Sequence, residues 1–216
     1  MTAADAETEP ETARKPAKRD PETNRSALIR ATLDTIAESG ISDTTVSNII
    51  QRAKLSRGMI HLHFGGKEQL LGAAAEAFGQ QYYRELDSYV ARAGDDPEAI
   101  VMAVVQADLS EGVMNERSTR IWHAFRGAAP THTDIAHYSS TRDKRLRATL
   151  HGAFKTIARD YGEAGDSVLA RDATFGLLVM LEGMWVDYMS NADAFSREVA
   201  TSIIRRFIKG LFPDHF

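Results

Sequence analysis

Apolar residues recur at spacings of three and four from about residue 21 almost to the end of the chain, and no strand-like alternation persists anywhere. That is the period of helices with one face against a core, so the expected fold class is all-α. Pro21 and Glu22 suit a helix start, Leu28, Leu33 and Ile36 form an apolar stripe, and Gly40 supplies the stop. Thr44 or Thr45 caps a second helix that runs through Arg52. A short third helix is expected from Arg57 to His63, broken by Gly65-Gly66, and a fourth from Lys67 to about Ala91. Asp95-Asp96-Pro97 opens a fifth that reaches about Ser110. Further helices are expected at about 115–127, 133–161, 166–190 and 195–211. Gly162 and Gly165 mark one boundary there, and Asn191-Ala192-Asp193 another.

Within this pattern, Val46, Ile49, Ile50, Ala53, Leu55 and Ile60 are spaced to pack the second and third helices together and onto the first. Small Ala53 lets the turn between them close, and Ser56 is placed to cap the third helix. This is the layout of a helix-turn-helix, which sets one helix end in the DNA major groove. Ser56, Arg57 and Gly58 then face outward where base edges would be met. Arg57 can pair bidentately with guanine, at about 1–3 kcal/mol of discrimination, and Gly58 lets the backbone come close. Thr45 sits at a helix N-terminus and can donate to phosphate together with the amides there. Lys67 opens the fourth helix, directed at phosphate. His61 and His63 lie further along. As an H-x-H pair without further ligands nearby they make a poor metal site, and no metal is expected.

Charge sharpens this picture. The formal net charge is −4, an unusual value for a DNA binder, but it is unevenly spread. Asp5, Glu7, Glu9 and Glu11 make residues 1–13 acidic, and residues 14–67 carry ten Lys/Arg against five Asp/Glu. Residues 68–216 carry sixteen Lys/Arg against twenty-one Asp/Glu. The basic excess coincides with the helix-turn-helix, and phosphate contact needs only one basic face. Residues 1–20 have no apolar period and are expected to form a disordered tail. Its basic part, Arg14, Lys15, Lys18 and Arg19, is either solvated or an arm along the minor groove. There is no apolar run of membrane-spanning length, no secretory h-region and no Cys, so a cytoplasmic protein without a disulfide framework is expected.

The segment from about Asn24 to Leu71 resembles the DNA-binding domain of TetR-type repressors. The likeness rests on the Gly40 break, Thr44-Thr45-Val46, Ala53, Ser56-Arg57-Gly58, His63-Phe64 and Lys67-Glu68-Gln69-Leu70. It implies an all-helical homodimer: residues 21–67 as the DNA-binding domain, and 68–216 as a helical bundle for effector binding and dimerisation. It places Thr45, His63 and Lys67 against phosphate, and Arg57, Gly58 and His61 against bases or backbone, and Ser56 and Met59 are expected on the same DNA-facing surface. Met59 and His61 depart from the more usual Thr and Tyr, and Leu62 from an aromatic or His, so the operator is not readable from the likeness. In the C-terminal half, Ile121-Trp122-His123-Ala124-Phe125, Leu181-Glu182-Gly183-Met184-Trp185 and Ser196 through Ile208 resemble the BetI-type subgroup, associated with choline sensing.

The same half can be read from its chemistry. Trp122, Phe125 and Trp185 are expected to face the bundle interior, where a quaternary ammonium ligand would find aromatic faces. Glu182 interrupts a mostly apolar run and would need a cationic ligand or an Arg as partner. Asp187 and Asp108 are weaker candidates of the same kind. Leu177, Leu181, Met184, Tyr188, Ile204, Phe207, Ile208 and Leu211, with Ile203, give the last two helices more apolar surface than one bundle face needs. They are expected to form a four-helix dimer interface with their mates, with Arg205-Arg206 on its rim.

The expected function is a ligand-responsive homodimeric regulator on palindromic double-stranded DNA, released by a small molecule. No cofactor is expected. Repressor and activator share this geometry. Two other readings stand beside it: an enzyme on a helical bundle, for which Asp134 with His137 is the nearest candidate pair, and a non-specific architectural DNA binder.

Overall fold

A computed structural model describes residues 20–163 and 167–216, with the backbone alone at 139–143. The expected tail and its basic cluster at residues 14, 15, 18 and 19 lie outside the described residues, as does the Gly165 boundary. Every described regular element is helical. Helix α1 (Pro21–Ser39) starts on Asp20, whose carboxylate accepts from the Glu22 amide, and stops where Gly40 adopts φ 77°. Helix α2 (Val46–Ala53) is capped by Thr45, whose Oγ1 accepts from Asn48 N at 3.2 Å. Thr44 is instead buried and donates to the Gly40 carbonyl at 2.7 Å. Of the two candidate caps, one ends in solvent and the other in the protein.

Lys54 makes the turn, with φ 54° and ψ 46°, the left-handed region that costs a non-glycine residue about 1–2 kcal/mol. Helix α3 (Arg57–Phe64) ends on Gly65, also left-handed, whose amide reaches back to the His61 carbonyl at 3.0 Å. Then follow α4 (Lys67–Ala93), α5 (Pro97–Asp108), α6 (Glu116–Ala128), α7 (Thr133–Ala158), α8 (Val168–Asn191) and α9 (Arg197–Leu211). Asp96, Asn115, Ser167 and Ser196 cap α5, α6, α8 and α9 through their side chains. The segment expected as a single helix over 133–161 ends its α-helical part at Ala158 and tightens into a 3₁₀ turn at Arg159–Tyr161.

Two apolar clusters organise these helices. A small one joins Leu28, Ala31, Ile49, Ala53, Ile60 and Leu70, with Val46, Ile50, Leu55, Met59 and Phe64 at its margin. The large one fills the bundle of α4 to α9 and takes in Leu33 and Ile36 from α1. The α1 stripe therefore splits: Leu28 belongs to the helix-turn-helix and Leu33 and Ile36 to the bundle. Helix α4 divides in the same way, Leu70 packing into the small cluster and Leu71 into the large one. Close approach of α7 to α4 depends on Gly79, where a Cβ would stand 1.8 Å from the Tyr138 ring.

Candidate nucleic-acid interface and effector pocket

The outward surface of α3 is made by Arg57, Gly58, His61 and Leu62, with Ser56 just before it and Thr45 at the start of α2 also exposed. Ser56 holds the N-cap position, but its hydroxyl makes no cap bond; its carbonyl takes the Met59 amide at 3.0 Å instead. The hydroxyl is thus left to the surface that the sequence assigned to DNA. His61 Nδ1 lies 2.9 Å from the Gly65 carbonyl, which holds the ring toward the C-terminal end of α3. Met59 and His63 turn the other way. Met59 packs against the small cluster, and His63 is half-buried with its Nε2 enclosed and unbonded. The helical period explains both: they lie on the side of α3 that carries Ile60 and Phe64. Lys67 is half-buried at the first turn of α4. Arg25 of α1 lies over the Phe64 ring at 5.2 Å and ties the end of α3 down.

In the bundle, a cavity of about 200 Å³ opens among α5, α6, α7 and α8, lined by Asp108, Trp122, Arg126, Arg147, Phe175, Glu182 and Trp185 among others. That is small beside the roughly 300–1,000 Å³ of sites for drug-sized molecules. Trp122 and Trp185 meet edge to face there, ring centroids 6.1 Å apart. Phe125 does not reach the cavity. It is fully buried between Phe78 and Tyr138.

The carboxylates exchange the roles expected of them. Asp108 is the buried one, 2% exposed, accepting from Tyr82 Oη at 2.9 Å and Trp185 Nε1 at 2.8 Å. Glu182 is half-buried with its side chain 44% exposed, and Arg126 Nη2 grips both its oxygens at 2.7 and 2.9 Å. The buried positions of α8 run through Ala170, Ala173, Thr174, Leu177, Leu181 and Trp185, which puts Glu182 one residue off that face. Asp108 continues the face of Val101, Val104 and Val105, a signal present in the periodicity of α5. The Arg126 guanidinium also stands 5.1 Å over the Trp122 ring, so a cation of the protein's own occupies the face expected for a ligand. Asp187 is exposed and accepts from Asn191.

Helix α6 connects the two sites. Toward its C-terminal end it presents Trp122 and Arg126 to the cavity. In its first turn, Arg117 holds Asp34 of α1 through Nε at 2.9 Å and Nη2 at 2.7 Å. Sequence reasoning missed Arg117 and Arg126, because nothing local marks a surface arginine as paired across a fold, and missed Arg147 at the cavity wall.

The expected dimer residues divide by orientation. Leu177, Leu181, Ile204 and Ile208 are at most 3% exposed in the single chain and belong to its own core. Met184, Tyr188, Phe207 and Leu211 are half-buried. The apolar surface that remains open is another stripe: Val168, Phe175, Val179, Val186 and Met189 of α8, with Val199 and Ile203 of α9. Counting apolar residues along α8 could not separate its two faces, since both are apolar, whereas α9 sets Glu198, Arg205, Arg206 and Lys209 away from its core residues. Asp134 and His137 are exposed on α7.

Residues 28–74 match the family model described as bacterial regulatory proteins, tetR family, and residues 97–213 that described as BetI-type transcriptional repressor, C-terminal. An HTH-type transcriptional regulator BetI from Stenotrophomonas maltophilia is 32% identical over 188 residues, covering 85% of this chain and 90% of its own. A BetI regulator from Burkholderia thailandensis is 26% identical, covering 87% and 92%. A crystal structure of a transcriptional regulator from Pseudomonas aeruginosa PAO1 superposes with a TM-score of 0.82 at 25% identity, covering 92% of this chain and 94% of that one.

Proposed function

Because this chain belongs to the TetR family of bacterial regulators, with a BetI-type repressor C-terminal domain, and is a transcriptional regulator rather than an enzyme, we propose that it is a homodimeric repressor released from a palindromic operator by a small amphipathic molecule. One observation carries the ligand-responsive part. Helix α6 bears both the cavity wall, through Trp122 and Arg126, and the bond to the recognition domain, through Arg117 and Asp34. A molecule that enters the cavity and takes Trp122 or Glu182 from Arg126 changes the contacts of one rigid helix. The other end of that helix positions α1, on which α2 and α3 pack. Release requires only that the ligand favour a dimer in which the recognition helices are no longer about 34–36 Å apart.

A quaternary ammonium compound is the first candidate effector. Two tryptophans and two carboxylates meet at the cavity, and the small volume suits a small cation, which would displace the Arg126 guanidinium from Trp122. The dimer seam in this proposal is the exposed stripe of α8 and α9. Phe175 and Val179 belong both to it and to the cavity mouth, so effector binding and dimer geometry share side chains.

The test is a mobility shift on DNA from beside the protein's own gene. Wild type is expected to retard that duplex selectively, and Arg57→Ala to weaken binding by about 1–3 kcal/mol without changing the melting temperature. Binding unaffected by Arg57→Ala would remove the residue from the interface. Equal affinity for unrelated duplexes would support an architectural role instead. A thermal-shift series with choline, betaine and hydrophobic compounds tests the effector, since a ligand at 100 times its Kd stabilises by about 2.7 kcal/mol.

A further inference from the structure

Among the described residues, every large apolar side chain that is strongly exposed lies on α8 or α9, with one exception: Leu62 on α3, 74% exposed. Isolated surface leucines are ordinary, but the position of this one is not. On α3, Arg57, Gly58, His61 and Leu62 face outward, while Met59, Ile60 and Phe64 pack on the small core. At about 100° per residue, Leu62 lies roughly 40° around the axis from Gly58 and one turn further along. At Gly58 a Cβ would meet only Ser56 Oγ, at 4.0 Å, so the surface beside Leu62 is bare. His61 is held aside by the Gly65 carbonyl. Leu62 is therefore an unshielded apolar knob on the outward side of α3, beside Gly58.

We propose that Leu62 is a specificity-determining residue whose side chain seats against the C5-methyl group of a thymine in each operator half-site. This rests on the reading of α3 as the helix that enters the major groove. In that groove only thymine presents a methyl group; the other bases offer donors and acceptors. A leucine laid on those would strip their water without replacing a hydrogen bond. The same side chain thus attracts one base and rejects three, which is how selectivity is built. It complements Arg57, which reads a hydrogen-bonding edge where Leu62 reads a methyl.

The experiment begins with selection of duplexes from a random-sequence pool by the wild-type protein. Each thymine of the selected half-site is then replaced by deoxyuridine, which removes only the methyl group. One position per half-site is expected at which this weakens wild-type binding about fourfold, the effect of one buried methyl, and about fifteenfold when both half-sites are changed. Leu62→Ala is expected to bind the thymine and deoxyuridine duplexes equally at that position. Leu62→Met should restore the difference. The exposure of Leu62 leaves the fold untouched by either change. A selected site in which no methyl removal matters overturns the assignment while leaving DNA recognition standing. So does Leu62→Ala that keeps the full deoxyuridine penalty. Failure of wild type to enrich any duplex overturns the reading of α3, and this proposal with it.

Discussion

The helix-turn-helix end and the bundle end of this protein keep their polar groups in opposite places. Around α2 and α3 the core is a few aliphatic side chains, and the groups with chemistry, Thr45, Ser56, Arg57 and His61, stand in solvent. In the bundle the core is large and partly aromatic, with Phe154 stacked on Phe212 at 5.6 Å, and the most distinctive polar group, Asp108, is buried in it. An end that meets a polyanion needs its donors free. An end that meets a small molecule has to bury polar groups, and each must be satisfied from within because water is excluded. The small core also shares helices with the large one: Leu28 and Ala31 stand on α1 before Leu33 and Ile36 of the bundle core, and Leu70 on α4 before Leu71.

The largest effect should come from breaking that small core. Ile49→Ala is expected to cost about 2–5 kcal/mol and to abolish DNA retardation. Circular dichroism melts should still show the bundle unfolding cooperatively; loss of the whole fold in one early transition would mean the two ends are a single unit. Next comes the open stripe of α8. Val179→Glu places like charges opposite each other in a symmetric dimer, a penalty of several kcal/mol. Sedimentation should then show a folded monomer, whereas an unchanged dimer would move the seam elsewhere. On the bundle side, Gly79→Ala drives a methyl into the Tyr138 ring and should lower stability by about 1–3 kcal/mol, read by urea denaturation.

Two smaller changes probe the joint and the turn. Lys54→Gly relieves a left-handed residue in the helix-turn-helix and should stabilise by about 1 kcal/mol, visible as a rise in melting temperature. Arg117→Ala removes a partly exposed ion pair, worth less than about 1 kcal/mol in stability. Its expected consequence is on coupling: effector should bind as before but release DNA less completely. Unaltered release would remove the Arg117–Asp34 bond from the relay.

The recognition unit was legible in the sequence because its residues act where they stand. Helix starts, the Gly40 and Gly65 stops and the order of α1 to α4 follow from local chemistry and a 3.6-residue period. So does the outward face of α3, except that Met59 and His63, expected on it, lie instead on the side of Ile60 and Phe64. In the bundle the helices were legible and the candidate site only in part. Trp122 and Trp185 come together, and Glu182 takes an Arg as one of the two partners allowed for it, but it is only half-buried, Phe125 is core, and Asp108 is the buried acid.

What the sequence determined by itself is what neighbours along the chain decide: the helices, their caps, and the face that each amphipathic helix turns inward. What only the tertiary structure decided is which of the two apolar faces of α8 goes inside, which arginine meets which carboxylate, and that α6 joins the cavity to α1. The physical reason is that burial on a helix apolar on both sides, and pairing between groups such as Arg126 and Glu182, 56 residues apart, depend on how helices stack. That stacking is set by the summed packing of the whole core and has no signature at any one position.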